Sequence, residues 1–269
     1  MWQRLPVWFR AVMTGLAVAG IPTVVWALLA ALNLRLTPRF PWSPLLMTLA
    51  LWGYWRFLGG DERRRSKPLT SHVWRLALIA GGSAVAAVWA AFAAMRGMLH
   101  IVPPADDISR FPIWTIFAAI VMGSAVAGVV EETGFRGYMQ LPLERAYGPL
   151  AAIATTSIIF TSVHLTHGAR ILPFLPFYFV VAVVYGLLAL LTGSILPGMA
   201  LHFTGDVLMF TIQYLMLKTG AAGAVQTGRI EPIPALMAIA FGVASVISFR
   251  FLARDGRSIA GVPEPVMSH

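Results

Sequence analysis

The sequence predicts an all-α protein: a polytopic transmembrane bundle of about eight helices with a polar site inside the membrane. Hydrophobic residues make up 58% of the 269 residues and charged residues only 12%, whereas about a quarter of the residues of a soluble domain are charged. The apolar residues also occur in runs of around 20, which is the length that a helix needs to cross a bilayer.

Eight such runs follow one another along the chain. They cover approximately 11–34, 42–59, 74–95, 112–133, 149–166, 172–192, 195–217 and 233–253. The first run is too long for a secretory signal and should be retained as a helix. No change in composition marks a second domain, so residues 1–269 are predicted to form a single integral membrane domain with a flexible C-terminal tail, about 255–269. Cysteine is absent, which excludes disulfides, thiol nucleophiles and thiolate metal sites.

The chain has a net charge of +9. The distribution of its basic residues along the chain indicates membrane topology rather than nucleic-acid binding, so no nucleic-acid partner is expected. If the N-terminus is cytoplasmic and all eight runs span, most lysines and arginines fall on the cytoplasmic side, in agreement with the positive-inside rule. That side collects Arg4, Arg10, the basic loop from Arg56 to Arg75, Arg136, Arg145, Arg250, Arg254 and Arg257. The sequence therefore predicts cytoplasmic N- and C-termini. The Ala- and Arg-rich composition with short loops suggests a prokaryotic protein, located in the inner membrane.

Three acidic residues fall within the predicted runs: Glu131, Glu132 and Asp206. A charge at the centre of a bilayer costs on the order of 2.5–3.5 kcal/mol on insertion scales, so such residues usually face the protein interior and have a function there. Two histidines, His164 and His202, also fall within runs. These five side chains are the candidates for a buried polar site.

The segment EETGFRGY contains the first two acids. Glu132 and Arg136 are four residues apart with the acid first, which is the favourable order for an ion pair on a helix. Glu131 is rotated from Glu132 by about 100°, so Glu132 and Arg136 are predicted to form a structural pair while Glu131 faces a cavity. A partly desolvated carboxylate in a cavity is suited to act as a general base. The alternative is that all three residues cap the cytoplasmic end of a helix.

Histidines occur in two later segments. In FTSVHL, Phe160 precedes His164 by four residues, although a lone histidine on an apolar helix is more often a packing residue. In GSILPGMALHFTGD, His202 and Asp206 share one helix face and can bind each other, a water molecule or a metal. A glutamate and two histidines in three separate spans indicate one site that activates water directly or through a metal. Either route leads to hydrolysis.

Several common hydrolase classes do not fit. The zinc motif HExxH is absent, and so are a GxSxG segment and a serine–histidine pair at a recognisable spacing. Membrane aspartyl proteases use two intramembrane aspartates, whereas Asp206 is alone.

Three motifs follow one another along the chain: EExxxR (Glu131, Glu132, Arg136), FxxxH (Phe160, His164) and HxxxD (His202, Asp206). In this order they resemble the motifs of the CPBP intramembrane proteases. This CAAX-protease and bacteriocin-processing family, also called Abi, includes the Ras-converting CAAX prenyl endopeptidases. The stretch YGLLALLTGSILPGMALHFTGD is also similar to the last motif region of the family, including Gly193, Ser194 and Pro197. The resemblance covers about 120–210, and the motif-bearing core is expected at about 112–217.

The resemblance implies an intramembrane endopeptidase that acts on a membrane-associated peptide or protein. Glu131 and His164 would activate the attacking water, and His202 with residue 206 would stabilise the oxyanion. The residues that would support the site structurally are Glu132 and Arg136.

Family members have been described both as metalloproteases and as metal-independent glutamate proteases. No cofactor is therefore favoured, with zinc as the alternative, and the residues that would bind zinc are Glu131, His164, His202 and Asp206. Prenyl-processing members are expected to have asparagine at position 206. An ionised aspartate cannot donate to an oxyanion, so Asp206 is protonated, orients His202 or binds a metal.

Two other classes of function remain as alternatives. One is an ion-coupled transporter in which Glu131, His164 and Asp206 form a relay, but no inverted repeat supports it. The other is a non-catalytic scaffold or immunity protein that retains the fold, although scaffolding needs none of these polar residues. The expected partners of a protease are its peptide or membrane-anchored substrate and the lipid bilayer. Prenylated tails, bacteriocin leaders, sorting signals and membrane-bound regulators all remain open as substrates.

The depth of the site in the membrane poses a problem for the predicted spans. In the simple register, Glu131 and His202 lie towards the cytoplasmic ends of their helices, whereas His164 lies near the outer end of the fifth. Residues of one site must lie at similar depth. Residues 137–148 are therefore expected to lie in the membrane or re-enter it, which would shift the fifth helix.

Overall fold

The computed structural model describes residues 2–58, 60, 64–99, 111–219 and 228–259. In this part of the chain the protein is all-helical, which confirms the predicted fold class. The eight principal helices are α1 (Val7–Leu36), α2 (Trp42–Phe57), α3 (Ser71–Leu99), α4 (Ile113–Tyr147), α5 (Pro149–Val163), α6 (Leu175–Thr192), α7 (Leu196–Lys218) and α8 (Pro232–Ile259). Short 3-10 segments cover Trp2–Arg4, His164–His167 and Ala169–Phe174. Each predicted run corresponds to one of the eight helices.

Seven of these helices are long and apolar enough to cross a membrane when α5 is counted to His167 and α6 from Ala169, which adds the adjoining 3-10 segments. The exception is α2, whose 16 residues extend about 24 Å, less than the hydrocarbon thickness of about 30 Å. The predicted span 42–59 is thus a helix, but a short one. The eight-span topology with both termini in the cytoplasm stays a prediction. Most of the predicted flexible tail, together with His100 and His269, lies outside the described residues.

Helix α4 differs most from its prediction. The run was expected to end near residue 133, but the helix continues to Tyr147, over 35 residues. Its middle part, Ala127–Gln140, is π-helical, a rare conformation that is often found at functional sites. Glu131 therefore lies near the middle of a long helix, and the helix-capping alternative is wrong. Arg136, which was counted with the cytoplasmic loops, is buried within this helix.

A tight turn at Gly148 joins α4 to α5. The backbone there has φ +84, a left-handed value that glycine adopts without strain, and Pro149 begins the next helix. The two helices pack side by side, with the Phe135 and Phe160 rings 5.1 Å apart. Glu131 lies 17 residues before Gly148 and His164 lies 16 residues after it.

In such a hairpin, residues equally far from the turn lie at similar depth. The depth problem is therefore solved by the extension of α4, whose residues 137–147 continue the helix. Of the two expectations for residues 137–148, the re-entrant segment is wrong, because residues 137–147 continue α4. Their location within the membrane stays a prediction. The sequence assigned these residues to a loop because they contain fewer apolar side chains than the preceding run.

The other helices surround this hairpin. Helix α1 crosses α4 closely at Gly15 and Gly134, where a Cβ on Gly134 would lie 2.6 Å from the carbonyl oxygen of Gly15. Small residues allow such close approach of helices in membranes.

Helices α3, α6 and α8 share a second buried apolar cluster. Between α2 and α3, the Arg65 carbonyl accepts a hydrogen bond of 2.8 Å from the Ile195 amide at the start of α7.

Candidate intramembrane active site

The centre of the site is the buried carboxylate of Glu132. One of its oxygens, Oε1, accepts hydrogen bonds from Arg136 Nη1 at 3.0 Å and from His202 Nδ1 at 3.1 Å. Arg136 also donates through Nη2 to the Ala182 carbonyl at 3.0 Å. The pair that the i, i+4 spacing predicted is thus present. The bond from Glu132 to His202, which connects α4 to α7, was not predicted.

The Glu132–Arg136 pair is almost fully removed from solvent, with side-chain exposures of 0% and 1%. Burying two charges is expensive, and additional hydrogen bonds and good geometry must compensate for the lost hydration. Here the guanidinium also lies 4.7 Å from the centre of the Phe160 ring, a cation–π contact that is stronger without water. The second Glu132 oxygen, Oε2, points towards Gly198, where a Cβ would lie 3.0 Å from it.

His202 lies between three carboxylates. In addition to its bond to Glu132, its Nε2 atom is 3.9 Å from Glu131 Oε2 and 3.6 Å from Asp206 Oδ2. The last two distances exceed those of hydrogen bonds, so Nε2 faces both carboxylates without being bound to either. Because an ionised carboxylate only accepts, Nδ1 carries the proton that is donated to Glu132. The side chains of Glu131 and Asp206 are each 20% exposed, so both carboxylates are partly accessible.

His164 is held differently. It lies at the end of α5, and its Nδ1 is 2.8 Å from the Phe160 carbonyl. Since a carbonyl only accepts, the proton of this ring is on Nδ1, and Nε2 has a lone pair for a further partner. The ring stacks on Tyr178 with 4.0 Å between centroids and an interplanar angle of 27°. These contacts orient His164 without any charged partner.

Two tyrosines of α6 contact the site but were not among the predicted site residues. Tyr178 stacks on His164, and Tyr185 stacks on His202 with ring centroids 5.3 Å apart. Because Tyr178 and Tyr185 are seven residues apart, two helical turns, they lie on the same helix face. The signal that could have identified them is this spacing in the otherwise apolar segment FYFVVAVVYG.

Phe160 connects the two halves of the site. Its ring centroid is 4.8 Å from that of His164 and 6.3 Å from that of His202. Among the described residues no hydrogen bond joins His164 to Glu131. The structure therefore brings the carboxylates directly to His202, and it places His164 beside them across an aromatic ring.

The predicted alternative ligand set for zinc fits this arrangement poorly. In the described ranges, no three histidine, aspartate or glutamate side chains are grouped so that they could hold one metal ion. We therefore derive no catalytic step through a metal.

These observations define a class: an integral membrane protein with a charged, histidine-containing site between its helices. Residues 112–208 match the family model described as type II CAAX prenyl endopeptidase Rce1-like. The matched segment includes all six predicted site residues, and the match confirms the resemblance to the CPBP family. It supports a membrane endopeptidase in general. No curated protein and no solved structure matches the chain.

Proposed function

We propose that the chain is a metal-independent intramembrane endopeptidase that hydrolyses a peptide bond of a membrane-associated substrate. The observation that carries the proposal is the grouping of Glu131 and Asp206 around Nε2 of His202 in the middle of the bundle. A membrane chain rarely keeps so many ionisable groups in its interior unless they have a function. The family match at 112–208 is consistent with this chemistry.

In the proposed reaction, Glu131 and His164 activate a water molecule. Glu131 is partly exposed and makes no hydrogen bond within the described residues, so its carboxylate is available to take a proton from water. Nε2 of His164 has a lone pair that accepts a hydrogen bond from the same water. As the water oxygen attacks the peptide carbonyl carbon, its proton passes to Glu131. Glu131 then transfers this proton to the leaving amine as the C–N bond breaks.

His202 and Asp206 stabilise the oxyanion of the tetrahedral intermediate. When His202 is protonated on both nitrogens, Nδ1 donates to Glu132 and Nε2–H is free to donate to the oxyanion. A preorganised donor of this kind is worth about 10²–10³ in rate. Asp206, 3.6 Å from Nε2, balances the charge of the imidazolium and keeps the ring in place. Glu132 and Arg136 hold His202 from the other side.

The class of substrate and the membrane in which the protein lies are proposed from the sequence. We propose a peptide or protein held at the membrane surface as substrate and a prokaryotic inner membrane as the location, with both termini in the cytoplasm. Because protein prenylation is chiefly eukaryotic, bacteriocin leaders, sorting-signal tails and membrane-bound regulators are tested before prenylated peptides.

The proposal is tested with purified full-length protein and a panel of fluorogenic peptides and lipid-anchored substrates. Wild type is compared with Glu131→Gln, which keeps the size of the side chain, and with Asp255→Asn, an acid paired with His72 far from the site. Each protein is measured with and without a strong chelator. We expect cleavage that Glu131→Gln reduces by at least about 10²-fold and that neither chelator nor Asp255→Asn changes.

Three other outcomes of this experiment would contradict the proposal. Chelator-sensitive cleavage that zinc restores would replace the metal-independent reaction by the zinc-dependent one. Cleavage that persists in Glu131→Gln would exclude this residue as the base. If the wild type cleaves no substrate and instead carries a substrate-dependent proton flux in vesicles, the transporter would be the correct function.

A further inference from the structure

A groove with two arginines in its lining lies outside the candidate active site. It is a groove of about 620 Å³ between the N-terminal part of α1 and the C-terminal part of α4. Its walls include Trp2, Arg10, Thr14, Tyr138, Leu141 and Arg145. We propose that this groove binds the phosphate group of an anionic phospholipid. This inference does not depend on the proposed protease activity.

The charge of the groove is the first argument. It is lined by the two guanidinium groups of Arg10 and Arg145, and none of the described residues that line it is acidic. The nearest acid in sequence, Glu144, is engaged elsewhere, because its Oε1 accepts hydrogen bonds from Arg65 at 2.9 Å and Gln140 at 2.7 Å. Among the residues that the structure describes, no carboxylate lines the groove to cancel the charge of the two arginines.

An unsatisfied donor is the second argument. Nε of Arg10 is buried and has no hydrogen-bond partner among the described residues, and leaving a charged donor without a partner costs free energy. A phosphate offers several acceptor oxygens, and the planar guanidinium matches their geometry in a two-point contact. A phosphate between Arg10 and Arg145 would supply an acceptor for this donor and offset part of the positive charge of the two arginines.

The position of the groove along the helices indicates that the phosphate belongs to a lipid. Arg10 is in the first turn of α1 and Arg145 is in the last turn of α4, so both lie where long membrane helices leave the hydrocarbon. Trp2 and Trp8 are half-exposed nearby, and tryptophan is enriched at this level of the membrane. Basic pockets between helices at the membrane surface bind anionic headgroups. Apolar groove residues such as Leu141 and Pro142 provide a wall for an acyl chain.

The bound lipid would have a structural effect. Gly137 and Tyr138, which also line the groove, directly follow Arg136 in α4. A headgroup held by Arg10 and Arg145 would connect α1 to the helix that carries the active-site carboxylates. We therefore expect phosphatidylglycerol to stabilise the protein more than phosphatidylcholine does.

The test uses full-length protein in a neutral detergent. Binding of phosphatidylglycerol, phosphatidylcholine and inorganic phosphate is measured by native mass spectrometry and by the shift in melting temperature. The variant is Arg10→Gln with Arg145→Gln, and the matched control is Arg254→Gln, an exposed arginine near the end of α8. Each basic residue near the surface is worth about 1 kcal/mol, or about fivefold in Kd, so the double variant should bind phosphatidylglycerol about 25-fold more weakly.

The control should bind like the wild type, and inorganic phosphate should neither bind tightly nor stabilise the protein. Equal binding of phosphatidylglycerol by the double variant and the wild type would overturn the proposal. Protection by inorganic phosphate as strong as that by phosphatidylglycerol would overturn the lipid source. If the double variant does not fold, Arg10→Lys with Arg145→Lys replaces it. This pair keeps the charge but loses the two-point contact, and unchanged affinity in it would contradict the assigned role of the guanidinium groups.

Discussion

The two sides of the candidate active site are built on different principles. On the carboxylate side, formed by Glu131, Glu132, Arg136, His202 and Asp206, charged groups lie close together and hydrogen bonds hold the central three. On the aromatic side, formed by Phe160, His164 and Tyr178, a histidine is held by one backbone carbonyl and by stacked rings. The first arrangement couples function to the stability of the fold. The second arrangement orients a histidine through few contacts, so replacing that histidine should cost the fold little stability.

The largest effect on activity is expected on the aromatic side. His164→Gln should lower cleavage by about 10²–10⁴-fold, the usual contribution of a positioned acid–base group. The melting temperature should change by only a few degrees, because within the described part of the chain this side chain makes one hydrogen bond and no ion pair. His167→Gln, an exposed residue in the same turn, is the matched control. Full activity of His164→Gln would reduce this histidine to a packing residue.

On the carboxylate side the largest effect is expected on stability. Glu132→Gln and Arg136→Met should each destabilise the protein by about 3–5 kcal/mol, because each leaves a buried charge without its partner. The double variant should lose less than the sum of the two, since it leaves no unpaired charge. Thermal unfolding in detergent or steric trapping measures these differences. Additive losses would show that the two side chains do not stabilise each other.

A smaller effect is expected where α7 meets Glu132. Gly198→Ala places a methyl group 3.0 Å from Glu132 Oε2, a contact that requires a shift of a few tenths of an ångström. We expect this shift to move His202 through its bond to Glu132 and to lower kcat by about tenfold, a loss of about 1.4 kcal/mol in transition-state stabilisation. Gly205→Ala on the same helix meets nothing within 4 Å and should leave kcat unchanged. Equal rates for both variants would contradict the proposed connection.

The smallest effect is expected at position 206. Asp206→Asn keeps the shape of the side chain but removes the charge that balances the His202 imidazolium. Its amide can instead donate a hydrogen bond to the oxyanion, so the two effects should offset each other and cleavage should stay within about threefold of the wild type. Asp206→Leu, which removes both the charge and the hydrogen-bonding atoms, should lower kcat by up to about tenfold, because nothing then balances the charge of the His202 imidazolium. A large loss in Asp206→Asn would mean that the negative charge itself is required.

Much of the architecture was predictable from local sequence. Runs of apolar residues identified all eight helices, because a helix of sufficient length is the way in which a single segment satisfies its backbone inside a membrane. The i, i+4 spacing also predicted the Glu132–Arg136 pair, since two side chains at this spacing on one helix are neighbours whatever surrounds them.

Relations between helices were not predictable in this way. The continuation of α4 to Tyr147 changed the depth of Glu131, and the turn at Gly148 brought His164 to the same level. The bond from His202 to Glu132 and the stacking of Tyr178 and Tyr185 depend on which helix faces meet. The sequence by itself determined which residues share a helix face. Only the tertiary structure decided which faces meet, because helices in a membrane are apolar on every side and their packing depends on close contacts between distant segments.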